Sequence, residues 1–335
     1  MFCTEKDFRG SAKKVLAGKV LQFVLSMLAL ILIVFFVSRF VPGDPLQSYY
    51  GESLERMGIQ QQEAAREQLG LNKSLPIQFV CWAKSALHGD FGISFKYKQD
   101  VTRVIGNASR NTIALTLTCL IIIFLLSLAL AVFCVEHEGK WADDFVRKLG
   151  IATNSIPEFF AAIMLIFIFS VSLKILPSSG AYEVGYAGSI GNRIIHMILP
   201  VCTLVITHLW YCAYMMRNKL SEETRKEYVL LYKVKGLGKA GIYRHCIKNI
   251  MPASISMVAV FLPHLIGGAY VIEAVFSYPG LGSLGFESVK YHDYNLLMVI
   301  SMITGASVIL FNMAAQIICE WIDPRVKQEG RADNG

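Results

Sequence analysis

Charge is what this chain is short of. Asp, Glu, Lys and Arg make up 17% of its 335 residues while 54% are hydrophobic, where a soluble chain carries about 25% charged residues. The deficit is gathered into gaps: residues 20–38 and 197–216 contain no charged side chain. Those runs also lack the apolar–polar alternation of barrel strands, so helices are left as the way to satisfy a backbone in hydrocarbon. Catalytic signatures are missing as well. No GxxxxGK[ST] phosphate loop, HExxH pair or GxSxG nucleophile turn occurs, so the chain is expected to be no enzyme and to hydrolyse no ATP itself. None of its eight cysteines forms a CxxC pair, which supports neither a zinc site nor a disulfide framework. No cofactor is expected. A cleavage site of small residues is absent after the first apolar run, which is also too long for a signal peptide.

What is present is an all-α integral membrane pattern with about six spans, at roughly 20–40, 113–135, 157–176, 196–216, 252–275 and 296–319. Each is near the ~20 apolar residues that a helical crossing needs. Orientation follows from Lys and Arg near span ends. Segment 217–248 holds nine and residues 1–19 hold five, against one each (Arg193, Lys290) in the short loops 177–195 and 276–295. Both termini and the basic segment are therefore expected in the cytoplasm, and the net charge of +7 marks topology and contact with anionic headgroups rather than nucleic acid. Cys81 is then the one cysteine expected outside.

The expected organisation is a cytoplasmic N-terminal segment (1–19), a first span (20–40), an extracytoplasmic segment (41–112), a five-span core (113–322) with a cytoplasmic loop at 217–251, and a cytoplasmic tail (323–335). The outer segment opens on Pro42-Gly43-Asp44-Pro45, where a helix cannot continue. Helices are expected over 53–69, stopped by Gly70, and over 76–87. Residues 217–251 are too long for a simple connection. They have helical character, interrupted at Gly236-Leu237-Gly238 and at Gly241. Pro157, Pro200 and Pro263 are expected to break or bend their spans. Glu273 is an intramembrane carboxylate and hence a gate or pathway candidate. Gly267 and Gly268 suit close helix packing. His196, His208 and His264 lack the i, i+4 spacing of a helical metal site and read as hydrogen-bonded core residues.

Several stretches in this order resemble the inner-membrane permeases of binding-protein-dependent ABC importers for dipeptides, oligopeptides and nickel. They are PGDP (42–45), LGLNKSLPIQF (69–79), GDFGIS (89–94), LPSSG (176–180), EYVLLYKVKGLGKAGIYRHCIKNIMP (227–252), IGGAYVIEAVFSYPGLG (266–282), HDY (292–294) and DPR (323–325). The resemblance implies a type I ABC importer permease in the bacterial inner membrane. It implies as partners a second homologous permease, two ABC ATPase subunits and an extracytoplasmic solute-binding protein. Short peptides are the implied solute, with nickel or a metal chelate as the alternative. Glu227, Tyr228, Lys235, Gly236 and Leu237 would form the ATPase-coupling loop, and Gly267, Gly268 and Glu273 a gate or pathway. Where the general importer loop carries Glu-Ala-Ala, this chain has Leu230, Leu231 and Tyr232.

Overall fold

The computed structural model describes residues 5–40 and 43–322, with backbone alone at 5–17, 19, 154, 259–261, 263–264, 267–268 and 315–322. Twelve helices account for nearly all of it: α1 (Glu5–Phe40), α2 (Pro45–Tyr50), α3 (Ile59–Gln68), α4 (Leu75–Leu87), α5 (Val101–Glu136), α6 (Trp141–Ala152), α7 (Glu158–Leu165), α8 (Ile190–Thr224), α9 (Glu227–Val234), α10 (Lys239–Val275), α11 (Leu281–Lys290) and α12 (Tyr294–Ile322). No strand forms among the described residues beyond an isolated bridge between Ile93 and Asp100. Among those residues, α1 from Val20, α5, α8 and α12 are long and apolar enough to cross a bilayer. The third expected span is shorter, since α7 and its continuation cover Glu158–Ser172.

The helices gather into two compact units, one of Met1–Ala108 with Leu284–Leu310, the other of Ser109–Ser283 with Phe311–Gly335. In the first, motifs far apart in sequence meet. Asp293 is fully buried; it accepts from the Ser94 hydroxyl, from the Lys96 N–H at 3.2 Å and from the Leu296 N–H at 3.3 Å. Asn295 Nδ2 donates to Ile93 O at 3.0 Å. A Cβ on Gly43 would overlap His292. Thus PGDP, GDFGIS and HDY build one locus. Asp44 caps α2 by accepting from the Leu46 N–H at 2.9 Å and pairs with Arg66.

The second unit packs α8 against α6, α7 and α10. Leu115, Cys119 and Ile123 of α5 are buried against a cluster that includes Leu199, Leu204, Leu265, Ala269 and Ile272. On another face of α5, Ile113, Leu117, Ile121 and Leu125 repeat every fourth residue and are exposed, the arrangement expected of a helix facing lipid or another subunit. Gly150 lets α6 approach α8 closely: a Cβ there would lie 2.7 Å from Tyr214 Cβ and 2.8 Å from Trp210 O.

Three expectations need correction. Residues 53–69 are not one helix: a 3-10 turn at Gly51–Arg56 precedes α3. Gly58 separates them with extended backbone and donates its N–H to Gln61 Oε1 at 3.2 Å. Second, of the three prolines Pro157 alone breaks its span, standing as the N-cap of α7. Helix α8 runs through Pro200 and α10 through position 263, one missing hydrogen bond being outweighed by burial of neighbours such as Leu199 and Leu204. Third, Gly241 lies within α10, and α8 extends to Thr224, so the loop's first helix is the end of α8. Cys246 is buried while Cys81 is exposed, which leaves Cys81 as the accessible reporter of the two.

Candidate functional site

Helix α9 is short, and its two faces differ. Val229 is buried in a cluster with Met216, Leu220, Ile242, Cys246 and Ile250, while Leu230, Leu231 and Val234 are 66%, 51% and 79% exposed. An eight-residue helix has too few internal hydrogen bonds to persist alone in water, so its inward face must hold it. Tyr228 does much of this. Its hydroxyl donates to Glu223 Oε1 at 2.7 Å and accepts from Asn249 Nδ2 at 3.1 Å, joining α8, α9 and α10. Tyr232 packs its ring against Tyr228 at 5.6 Å and His245 at 5.0 Å. The Leu-Leu-Tyr triplet is thereby divided: Tyr232 turns inward, and the two leucines face out.

The helix ends in a Schellman turn. The Gly236 N–H donates to Lys233 O and the Leu237 N–H to Tyr232 O, both at 3.0 Å. Gly236 has φ +78°, the left-handed region that glycine enters without steric cost. Glu227 opens α9; Lys235 and Gly236 are exposed and Leu237 is 37% exposed. Of the five residues expected in the coupling loop, Tyr228 is the one directed into the protein.

Glu273 occupies the other end of α10 and is fully buried. Thr112 Oγ1 donates to Glu273 Oε1 at 2.6 Å; the Gly282 and Ser283 N–H groups donate to Oε2 at 2.6 and 3.3 Å. Thr112 Oγ1 accepts in turn from the Leu281 N–H at 2.7 Å. The carboxylate thus caps the first turn of α11 across the YPGLG loop. A Cβ on Gly280 would overlap this carboxylate, and one on Gly282 would overlap Tyr270. Asn111 Nδ2 pins Pro279 O at 2.8 Å. Gly267 and Gly268 lie in α10, and their surroundings fall outside the described residues.

A third constellation was not expected from sequence. Arg217, near the end of α8, donates from Nε to Asp143 Oδ1 at 2.8 Å and from Nη2 to Oδ2 at 2.5 Å. Nη2 also reaches Glu138 Oε1 at 3.2 Å, which accepts from Ser221 Oγ and Arg225 Nη2, both at 2.8 Å. The Ser221 hydrogen bond, reinforced by the charges of Arg225 and Arg217, lowers the Glu138 pKa despite some desolvation. Burial pushes Asp143 up, but the Arg217 and Gly139 hydrogen bonds outweigh it and the net shift is downward. The missed signal was a carboxylate on a buried stripe: Asp143, Val146 and Gly150 are all buried and fall at i, i+3 and i+7.

His196 and His208 sit among core groups, while the side chain of His264 lies outside the described residues. His196 Nδ1 lies 3.0 Å from Ser179 O and 3.2 Å from Gly180 O, and His208 Nε2 lies 3.1 Å from Glu158 Oε1. Glu158 is therefore paired rather than merely solvated.

Residues 123–328, which hold α9, Gly236 and Glu273, match the family model described as the binding-protein-dependent transport system inner membrane component. The chain belongs to this family. It is the permease of an ABC importer and not itself an enzyme. The permease is 29% identical to a putative peptide permease protein of Brucella ovis over 90% of this chain and 95% of the relative. It is 29% identical to the metal-staphylopine import system permease protein of Staphylococcus aureus over 79% and 82%. To the probable D,D-dipeptide transport system permease protein of Escherichia coli it is 26% identical over 92% and 95%. Its fold resembles the MetNI methionine ABC transporter in an inward-facing conformation, with a TM-score of 0.53 at 17% identity over 66% of this permease and 97% of that chain.

Proposed function

We propose that this permease carries short peptides across the inner membrane and takes its driving motion from a separate ATPase through α9. The observation that carries the reading is the exposed face of α9, formed by Leu230, Leu231 and Val234 on a helix bolted inward by Tyr228. A short helix held this way moves with α8 and α10, so a partner that grips its apolar face pulls on both. Two ATPase subunits, a second permease sharing the path, and a solute-binding protein outside complete the assembly. Peptide as solute rests on relatives named as peptide permeases. The metal-chelate reading rests on relatives named for metal-staphylopine and nickel import.

The proposed topology has six spans, both termini and α9 in the cytoplasm, and residues 41–112 outside. Gly236→Trp should abolish uptake while the membrane level of the permease stays near normal; ordinary ATP-dependent uptake by that variant would refute coupling through this turn. On spheroplasts, an impermeant maleimide should modify Cys81, and its failure to do so before permeabilisation would invert the topology. Exchanging the binding protein should change the imported solute with this chain untouched.

A further inference from the structure

In the first unit, a cavity of about 390 Å³ opens beside the end of α1, between α4 and the start of α12. Arg39 stands on its wall. The guanidinium carbon lies 3.5 Å from the ring centroid of Phe35 and 4.7 Å from that of Tyr294. Nη1 donates to Phe35 O at 3.1 Å and to Ser38 Oγ at 3.3 Å, and Nε donates to Gln78 Oε1 at 3.4 Å. No carboxylate among the described residues pairs with it, and Nη2 donates to none of them. Trp82 adds a second unspent donor, since its Nε1 is buried with no hydrogen-bond partner and its side chain lines the same cavity. Buried donors are normally satisfied, and a desolvated cation normally has an anion beside it.

The remaining wall suits one kind of visitor. Lys73 adds positive charge; Asp90, the one carboxylate on the wall, already accepts from the Gly92 N–H at 3.0 Å. Phe91 and Phe95 with the Trp82 ring give one part of the wall an aromatic patch, beside polar groups such as Gln68, Ser85 and Asn295. The volume lies toward the small end of ligand sites, which run from about 300 to 1,000 Å³. We propose that this cavity is a binding site for an oxyanion joined to a small apolar body, the oxyanion taken by Arg39 Nη2 and Trp82 Nε1 and the apolar part laid against the aromatic patch. Two sources offer that chemistry: the carboxylate of a small solute and the phosphate of a lipid headgroup. The site rests on the first unit alone and is independent of the solute proposed for the permease.

Cys81 lines this cavity and is exposed, so its alkylation reports occupancy. The full-length permease in dodecyl maltoside, a detergent without an oxyanion, is treated with an impermeant maleimide, and modification of the Cys81 peptide is followed by mass spectrometry. N-Acetyl-leucine should slow the reaction about threefold at twice its dissociation constant, and N-acetyl-leucine amide should not. Trp82→Phe keeps the aromatic body and should raise the dissociation constant for this protection about tenfold, as for a lost hydrogen bond to a charged group; Arg39→Gln should abolish protection. Should the Arg39 variant fail to accumulate, Trp82→Phe decides. Slower alkylation on adding phosphatidylglycerol without solute, lost in Trp82→Phe, assigns the oxyanion to lipid and supports the site. Equal protection by acid and amide, no protection in any arm, or protection unchanged by Trp82→Phe would overturn it.

Discussion

The end of α10 at Val275 and the end of α8 at Thr224 each meet a buried carboxylate, Glu273 and Asp143, the second with the exposed Glu138 beside it, and they hold it with different chemistry. Glu273 is served by one hydroxyl and two backbone N–H groups, all from neutral donors fixed by the fold. Asp143 and Glu138 are served mainly by Arg217 and Arg225, on long side chains that can let go and grip again. A carboxylate in a backbone cradle fixes one geometry. A carboxylate under an arginine fork is specified as tightly in direction by a flexible side chain, and Arg217 touches Asp143 and Glu138 together. Rigid loop and re-formable joint are thus separated within one unit, with the joint on the same segment as α9.

The sharpest way to break this comparison is Glu273→Ala. It strands the Thr112 hydroxyl and the Gly282 and Ser283 N–H groups in the interior, a loss on the order of 3–5 kcal/mol. The membrane level and melting temperature of the purified permease should both fall steeply. Gly280→Ala should be comparably damaging because its methyl meets the carboxylate. Combined with Glu273→Ala that clash disappears, so the double variant should be less damaged than the two losses summed by more than about 1 kcal/mol. Strict additivity would show that the carboxylate does not define this loop.

At the other site, Arg217→Lys keeps the charge and loses the two-pronged geometry. A loss of about 1–2 kcal/mol is expected, with uptake falling more than the membrane level does; equal falls would make the joint merely structural. The pH response separates the sites further. Glu138 and Asp143 have lowered pKa values in the folded protein, so their contribution is complete above the ordinary carboxylate range and is lost as pH falls through the folded values. Thermal stability should therefore drop below about pH 4, and Arg217→Lys should flatten that drop. The smallest effect is expected of Tyr228→Phe, which removes one hydroxyl shared by Glu223 and Asn249 and should cost about 1 kcal/mol. Its readout is weaker coupling of ATP hydrolysis to uptake at nearly normal protein level.

The two carboxylate sites also show what the sequence could disclose. Hydropathy located α1, α5, α8 and α12, and the glycine at 236 located the turn after α9, because both signals are local. The hydroxyl that serves Glu273 lies 161 residues away at Thr112, and the carboxylate gripped by Arg217 lies 74 residues away at Asp143; no periodicity carries such a pairing. Counting Arg217 among the basic residues that set orientation hid that it is consumed by an ion pair. Tyr228 stood in the right segment, but its inward direction depends on the packing of three helices. The convergence of PGDP, GDFGIS and HDY was present in the order of motifs, yet nothing in their spacing told that Asp293 would bind Ser94.

One feature of α7 bears on the surroundings of the protein rather than on its interior. After Leu165 the helix widens into a π-helix over Ile166–Ser172, so the apolar rod from Glu158 to Ser172 has 15 residues. Even at the α-helical rise it would reach only about 22 Å, against about 30 Å of hydrocarbon. In the proposed six-span topology, a bilayer around this rod must thin, or the rod must recruit the residues beyond it. Elastic deformation of lipid then becomes part of the energy of any step that moves α7, and acyl-chain length becomes a variable to which the permease responds.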